Sequence, residues 1–157
     1  AAHPDSLVDS VVDFGITILP PRFKRPPHLQ PPRWQPAERV SRNVHVSAEY
    51  GRQRTGRLHP VQNGEALPRR GGLWFDVRVN KFQPVPDDCY VRWRITNTGA
   101  VAMALKKGRG GFELPTKGHR HWEDLEYRGV HMAEAFIIRR SDDRLVGYSE
   151  PFYVVIE

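Results

Sequence analysis

The residues best suited to chemistry lie between positions 106 and 112, in the run Lys106-Lys107-Gly108-Arg109-Gly110-Gly111-Phe112. Its three cations fall within four positions and can pair with phosphate. The glycines let backbone N–H groups approach an anion closely, and Phe112 offers a ring on which a base can stack. The run therefore predicts a nucleotide site. A solvated, flexible hairpin tip is the competing interpretation, and the sequence alone does not separate the two.

Further polar and aromatic candidates follow this loop. Glu134 is in phase with the apolar residues Met132, Phe136 and Ile138, so it needs a partner, either in a structural salt bridge or in a ligand site. Arg109, Arg120 or His131 can supply that partner. The predicted ligand-binding residues are Lys106, Lys107, Arg109, Gly110, Gly111, Phe112, Arg120, Trp122, His131 and Glu134. No catalytic residue, metal ligand or cofactor is predicted.

Three histidines give a weaker, alternative metal hypothesis. His119, His121 and His131 lie near several glutamates, and alternate residues such as His119 and His121 share one face of a strand. Solvation or cross-strand pairing on a polar strand face explains them more simply. The sequence contains no nucleophile elbow, P-loop, zinc spacing or dinucleotide fingerprint, which counts against an enzyme. A metal-dependent hydrolase is therefore only the third hypothesis.

The charge distribution favours an anionic partner. The 157 residues carry a net charge of +6. Residues 20–72 hold eleven Lys and Arg against three Glu, a local balance of +8, whereas residues 1–19 hold three Asp and no Lys or Arg. Such a field attracts phosphates, acidic proteins or RNA without choosing among them. A nucleic acid is a possible partner but not the favoured one.

Composition indicates one domain in a reducing compartment. The apolar content of 39% suffices for one core. The lone Cys89 cannot form an internal disulfide, and no apolar run is long enough to span a bilayer. We therefore expect a cytoplasmic protein with no membrane partner. A start at Ala1-Ala2, without methionine, suggests a piece of a longer protein.

Period-two alternation predicts an all-β fold. Phe75, Val77 and Val79 alternate with polar residues, as do Val91, Trp93 and Ile95. The connection over residues 83–88 is too short for a crossover helix, so these strands form an antiparallel pair or bridge two facing sheets. Further strands are expected over residues 43–50, 101–105 (with Val101, Met103 and Leu105 inward), 122–127, 132–140, 145–148 and 152–156. We predict an antiparallel, Ig-like β-sandwich of about seven to eight strands.

The N-terminal part is predicted to be an arm. A short helix is expected within residues 5–19, and seven prolines in residues 20–36 favour an extended segment. A linker from an upstream domain is the preferred interpretation. A docked arm whose Phe23 and Trp34 pack on the sandwich, or a Pro-rich ligand for a partner, are the alternatives. The predicted division is residues 1–40 for helix and linker and residues 41–157 for the sandwich.

An ordered set of segments resembles a known family. WFDVRVNKF, YVRWRITNTGAVA, GRGGF, WEDLEYRGVHMAEAFII and VGYSEPFYVVIE, within residues 72–157, resemble the adenylyl/guanylyl cyclase and SMODS C-terminal sensor domain, AGS-C. Such domains occur in nucleotidyltransferases of bacterial anti-phage systems, and the resemblance implies sensing of a nucleotide-derived ligand. The polar positions it carries over are Asn97, Thr98, Gly99, Arg109, Gly110, Phe112, Glu126, Gly129, His131 and Glu134. The paired aspartates and Gly-Ser motif of the nucleotidyltransferase itself are missing, so no synthetase activity is expected.

The resemblance and the cationic loop together give the leading hypothesis. We expect a non-catalytic sensor of a CBASS-like bacterial system, which binds a nucleotide-like anion and regulates an attached nucleotidyltransferase or effector. The alternative is a protein-interaction β-sandwich that recognises a phage or partner protein through sheet edges and the Pro-rich arm.

Overall fold

Two β-sheets account for most of the described chain. The computed structural model describes residues 28–98 and 100–157. The strands are β1 (Pro36–Ser41), β2 (Val44–Gly51), β3 (Leu58–Val61), β4 (Ala66–Leu67), β5 (Gly72–Val79), β6 (Cys89–Thr96), β7 (Arg109–Glu113), β8 (His121–Asp124), β9 (Gly129–Arg139), β10 (Arg144–Tyr148) and β11 (Phe152–Ile156). One short helix, α1 (Ala100–Ala104), separates β6 from β7.

The first sheet is built around its longest strand, β9. Along one edge β9 pairs antiparallel with the whole of β6, from Cys89↔Arg139 to Thr96↔Met132. Its other edge is shared by β10 and β11, which are also antiparallel to it. Strand β7 extends the sheet beyond β6, while β1 and β4 add in parallel to β10 and β11. Strands β9 and β10, both expected from the sequence, are consecutive and form an antiparallel hairpin.

The second sheet has four antiparallel strands in the order β3-β2-β5-β8. The chain leaves it at the end of β5 and enters the first sheet at β6, and Val85 is buried on the way. Of the two arrangements left open for residues 83–88, the connection between sheets is therefore the one observed.

The inward faces of both sheets share one hydrophobic core. It contains Phe75 of β5, Trp93 of β6 and Ile137 of β9, and the rings of Phe75 and Trp93 are 6.0 Å apart. Trp93 is fully buried, as its period-two position predicts. Cys89 is also buried, and burial raises the pKa of its thiol to about 11. The protein is thus mostly β with two sheets; the Ig-like arrangement stays a prediction.

The first sheet is covered on its outer face as well. Ten of the eleven residues of β9 are buried, so neither face of this strand meets solvent. Phe136 on the outer face packs beneath Trp34 and Phe112. Trp34 belongs to the segment predicted as a linker, while Phe23 and the expected helix within residues 5–19 lie outside the described residues.

The prediction of a strand over residues 101–105 is wrong. Residues Ala100–Ala104 form α1, which is followed by a turn at Leu105. Met103 and Leu105, expected inward, are 48% and 56% exposed, whereas Ala102 is buried. Alanine favours helices and is depleted in strands, and it occupies positions 100, 102 and 104. This preference outweighs a period-two pattern of only five residues. Within the described residues no helix has the length and apolarity required to cross a bilayer.

Gly129 is required where β9 begins. Its φ of +149° is rare for residues with a side chain, and an added Cβ would lie 2.2 Å from the carbonyl oxygen of Thr98. We expect Gly129→Ala to lower the free energy of unfolding by about 2 kcal/mol, since strain and a backbone clash act together. Urea denaturation measures this loss.

Gly118 provides the matched control. It also has positive φ, +60°, but nothing lies within 4 Å of an added Cβ. Gly118→Ala should therefore cost about 1 kcal/mol, from backbone conformation alone. Equal losses in the two variants would contradict the steric explanation.

Candidate ligand site

Four ionisable side chains connect the edge strands of the two sheets. Because side chains alternate along a strand, Arg109 and Glu113 share one face of β7, and His121 and Glu123 share one face of β8. The guanidinium of Arg109 donates to Glu113 at 3.0 Å and to both oxygens of Glu123 at 2.5 and 2.7 Å. His121 Nε2 donates to Glu123 at 2.6 Å and lies 3.4 Å from Glu113. We call these four residues the edge cluster.

The edge cluster balances its own charge. Burial lowers the pKa of His121, but hydrogen bonds to Glu113 and Glu123 outweigh it and raise this pKa to about 9. Burial raises the pKa values of both glutamates, but His121 and Arg109 together bring them below the ordinary value. At neutral pH the cluster therefore holds two anions and two cations.

The edge cluster also contains the one metal-like grouping among the described residues. Ligand atoms of Glu113, His121 and Glu123 lie within 4.8 Å of one another. Arg109 already supplies positive charge to both carboxylates there, so a metal ion would have to displace its guanidinium. Neither His119 nor His131 belongs to this grouping, and the hypothesis that they ligate a metal together with His121 is wrong.

A cleft of about 360 Å³ opens beside the edge cluster. Its lining comes from strands β7, β8, β9 and β11 and from the loops that follow β2, β6 and β8 or precede β7. Four of the predicted ligand residues line it, namely Lys107, Arg109, Trp122 and His131. The other lining residues are Arg54, Asn97, Glu123, Asp124, Glu126, Tyr127 and Ile156.

His131 in the cleft wall is held as a neutral imidazole. Its Nδ1 accepts a hydrogen bond from the backbone N–H of Thr98 at 3.1 Å, and its Nε2 donates to the carbonyl of Tyr127 at 2.6 Å. One tautomer satisfies both bonds. Burial, the largest influence, lowers the pKa of His131 to about 4. His131 thus contributes shape and order to the cleft, and no positive charge.

Two cations of the cleft, Lys107 and Arg54, differ from Arg109 in their pairing. Over the part of the chain that the structure describes, neither side chain forms an ion pair, whereas Arg109 is neutralised by two glutamates. Trp122 is 6% exposed, and its indole N–H donates to Asp124 at 2.8 Å. Sequence reasoning missed Arg54 as a cleft residue because it lies 55 positions before Arg109, in a loop without a recognisable motif.

Three of the predicted residues contact the segment before β1 and not the cleft. Phe112 points away from Arg109 and packs edge-on against Trp34, with ring centroids 4.8 Å apart. The carbonyl of Gly110 accepts a hydrogen bond from the backbone N–H of Gln30 at 2.9 Å, and Gly111 packs against the Gln30 side chain. These glycines admit a peptide segment rather than lining the cleft.

Arg120 and Lys106 lie outside the cleft lining too. Arg120 stacks over the ring of Trp74 at 4.5 Å and lies 4.0 Å from Glu49. Lys106 is exposed, with φ of 57° at the end of α1.

Glu134 pairs with Arg94, so the three partners proposed for it from the sequence are wrong. Arg94 is its direct cross-strand neighbour on β6 and binds both carboxylate oxygens, at 3.0 and 2.9 Å. Both side chains are almost fully buried on the outer face of the first sheet. A third N–H of Arg94 donates to the carbonyl of Gln30 at 2.6 Å. This pair lines a second groove rather than the cleft.

Comparison with known proteins identifies the family and no individual relative. No curated protein and no solved structure matches the chain. The model of one family, described as the Adenylyl/Guanylyl and SMODS C-terminal sensor domain, matches residues 24–157. This match begins well before residue 72, where the resemblance in the sequence begins, and it includes the segment that packs on Gly110 and Arg94. The chain belongs to the Adenylyl/Guanylyl and SMODS C-terminal sensor domain family.

Proposed function

We propose that this sensor domain is non-catalytic and binds a nucleotide-derived anion in the cleft beside the edge cluster. The observation that carries the proposal is that two cations outside any described ion pair, Lys107 and Arg54, share one concavity with the rings of Trp122 and Tyr127. Cations without a carboxylate partner suit phosphate, and aromatic rings suit a base. The volume of about 360 Å³ is of the size that small-molecule sites have.

Each part of the cleft has a role in this proposal. Lys107 and Arg54 neutralise phosphate, and Trp122 or Tyr127 contacts the base. Asp124 and Glu126 also line the cleft and accept hydrogen bonds from amino groups of a base. Arg109 keeps its two glutamates and holds the wall of the cleft in place, since moving it would leave two half-buried carboxylates with His121 alone.

Regulation requires that the ligand favour one arrangement of the domain. Gly108 lies between Lys107 and Arg109 in the sequence, and it packs against the side chain of His28. Ligand binding therefore acts on the segment that leads back to residues 1–27. A coupling of about 1–3 kcal/mol is enough to control an attached nucleotidyltransferase or effector. In this proposal the domain works in the bacterial cytoplasm and reports phage infection.

Isothermal titration calorimetry with a panel of mononucleotides and cyclic dinucleotides tests the site. For the nucleotide that binds, we expect Lys107→Ala to weaken binding about tenfold, because it removes one charged hydrogen bond. Lys106→Ala is the matched control: it removes the same charge from the neighbouring position, outside the cleft lining, and should change affinity less than twofold.

Two results would overturn the site. Binding by no nucleotide in the panel would favour the protein-interaction alternative. Equal losses in the Lys106 and Lys107 variants would mean that the ligand responds to overall charge rather than to the cleft.

A further inference from the structure

Five arginines lie together at one end of the second sheet. Arg52, Arg54 and Arg57 are in the loop between β2 and β3, and Arg69 and Arg70 are in the loop before β5, separated from it by Gly71. All five are exposed. We call them the arginine surface.

Backbone pairing holds the two segments of the arginine surface side by side. Gly51, the last residue of β2, pairs with Gly72, the first residue of β5. The Tyr50 hydroxyl donates to the carbonyl of Arg70 at 3.1 Å. The position of the β2–β3 loop is further fixed by Trp74, whose indole N–H donates to the carbonyl of Arg54 at 2.7 Å. The five guanidinium groups are therefore carried by a braced part of the fold.

The arginine surface is electrostatically uncompensated. Within residues 28–98 and 100–157, none of its five members forms an ion pair. Elsewhere in those residues arginines do find carboxylates, as Arg94, Arg109 and Arg139 show. Five clustered guanidinium groups outside any ion pair raise the local concentration of anions and favour a polyanion over a single small anion.

A groove with aromatic walls runs through the arginine surface. It measures about 380 Å³ and is lined by Arg52 and Arg57 together with Tyr50 and His59. The rings of Tyr50 and His59 are 5.2 Å apart. Guanidinium groups bind phosphate in a bidentate manner and stack on planar groups. The loop itself, residues 52–57, has no apolar side chain to insert into a lipid bilayer.

We propose that the arginine surface binds the backbone of a single-stranded nucleic acid, with a base against Tyr50 and His59 in the groove. Cationic grooves interleaved with aromatic rings are the usual design for single strands. Arg54 lines the sensor cleft as well, so the strand would pass next to that cleft. This inference goes beyond the proposed nucleotide site and does not depend on it.

Fluorescence anisotropy of a fluorescein-labelled 12-nucleotide oligo(U), measured with the whole chain over a range of salt concentrations, tests the proposal. Neutralisation of four to five phosphates predicts a slope of log K against log salt of about −3. The variants Arg52→Ala/Arg57→Ala and Arg69→Ala/Arg70→Ala should each weaken binding at least tenfold and reduce the slope by about 1.4. All four side chains are exposed, and thermal unfolding should show unchanged stability.

Arg78→Ala is the matched control. Arg78 lies on the same strand as Gly72, about 20 Å away at the other end of β5, and its side chain is 47% exposed. Its loss should leave the affinity for oligo(U) within twofold. A comparable loss in this variant, or an unchanged slope in both double variants, would overturn the proposal.

Two further probes and one further variant complete the test. Polyglutamate and vesicles with 30% phosphatidylserine should bind at least tenfold more weakly than oligo(U), because neither offers bases to the groove; equal binding would contradict a nucleic-acid surface. Lys107→Ala should leave oligo(U) binding unchanged, whereas the Arg52/Arg57 variant should leave mononucleotide binding unchanged. The proposal for the arginine surface and the proposal for the sensor cleft can therefore be contradicted independently of each other.

Discussion

Glu134→Ala is expected to lower the free energy of unfolding by about 3–5 kcal/mol, the largest loss of any substitution considered for this domain. The change leaves the guanidinium of Arg94 buried, with a side chain only 5% exposed, and without the carboxylate that binds two of its N–H groups. Urea denaturation at neutral pH measures the loss.

The double variant Arg94→Met/Glu134→Leu is the control for this prediction. Replacing both charges with apolar side chains of similar volume avoids an unpaired ion, so most of the lost stability should return. The remaining loss should reflect the bond from Arg94 to the carbonyl of Gln30. A Glu134→Ala variant as stable as the parent would mean that water or a rearranged segment solvates Arg94.

Stability is expected to fall between pH 6.5 and pH 9 because of His121. Its pKa in the folded protein is about 9, against 6.5 for an unperturbed histidine. The unfolded chain thus loses this proton first, so the stabilisation is complete below pH 6.5 and disappears as the pH rises through 9. Since one pKa unit corresponds to about 1.4 kcal/mol, the loss is on the order of 3 kcal/mol. Urea denaturation at a series of pH values measures it.

His121→Gln should remove this pH dependence. The variant keeps a hydrogen-bond donor near Glu123 but cannot titrate, so its stability should be nearly constant from pH 6.5 to 9. The glutamates act in the opposite direction: their lowered pKa values predict a separate loss of stability as the pH falls below about 4.5. A slope above pH 6.5 that persists in His121→Gln would assign the effect to another group.

The fold was predictable wherever strands are half buried and long enough to show period two. β2, β5 and β6 were found in this way, together with the inward residues Phe75 and Trp93. β1, β3 and β4 were missed because they are short or contain proline, and their pairing depends on partners distant in sequence. β9 shows a second limit: because it is buried on both faces, its sequence has no alternation of apolar and polar residues that would show which face points to the core.

The site was predictable in residue type but not in grouping. Lys107, Arg109, Trp122 and His131 do share a cleft. Phe112 and Arg109 were assigned to one ligand. They are three positions apart on β7, so their side chains lie on opposite faces of the strand. This separation was not foreseeable without knowing that the loop is a strand. The pairing of Glu134 with Arg94 depends on the register between β6 and β9, and composition does not encode register.

Strand β7 is the outermost strand of the first sheet, and the backbone of Gln30 bonds to it at Gly110. Residues 28–30 therefore shield an edge that has two adjacent glycines and few charges with which to repel another strand. A shortened protein that begins at residue 41, where the sequence suggested that the sandwich starts, would leave this edge bare and invite self-association through intermolecular strand pairing. Anyone producing the domain alone should therefore retain the proline-rich stretch, so that the edge of β7 stays covered.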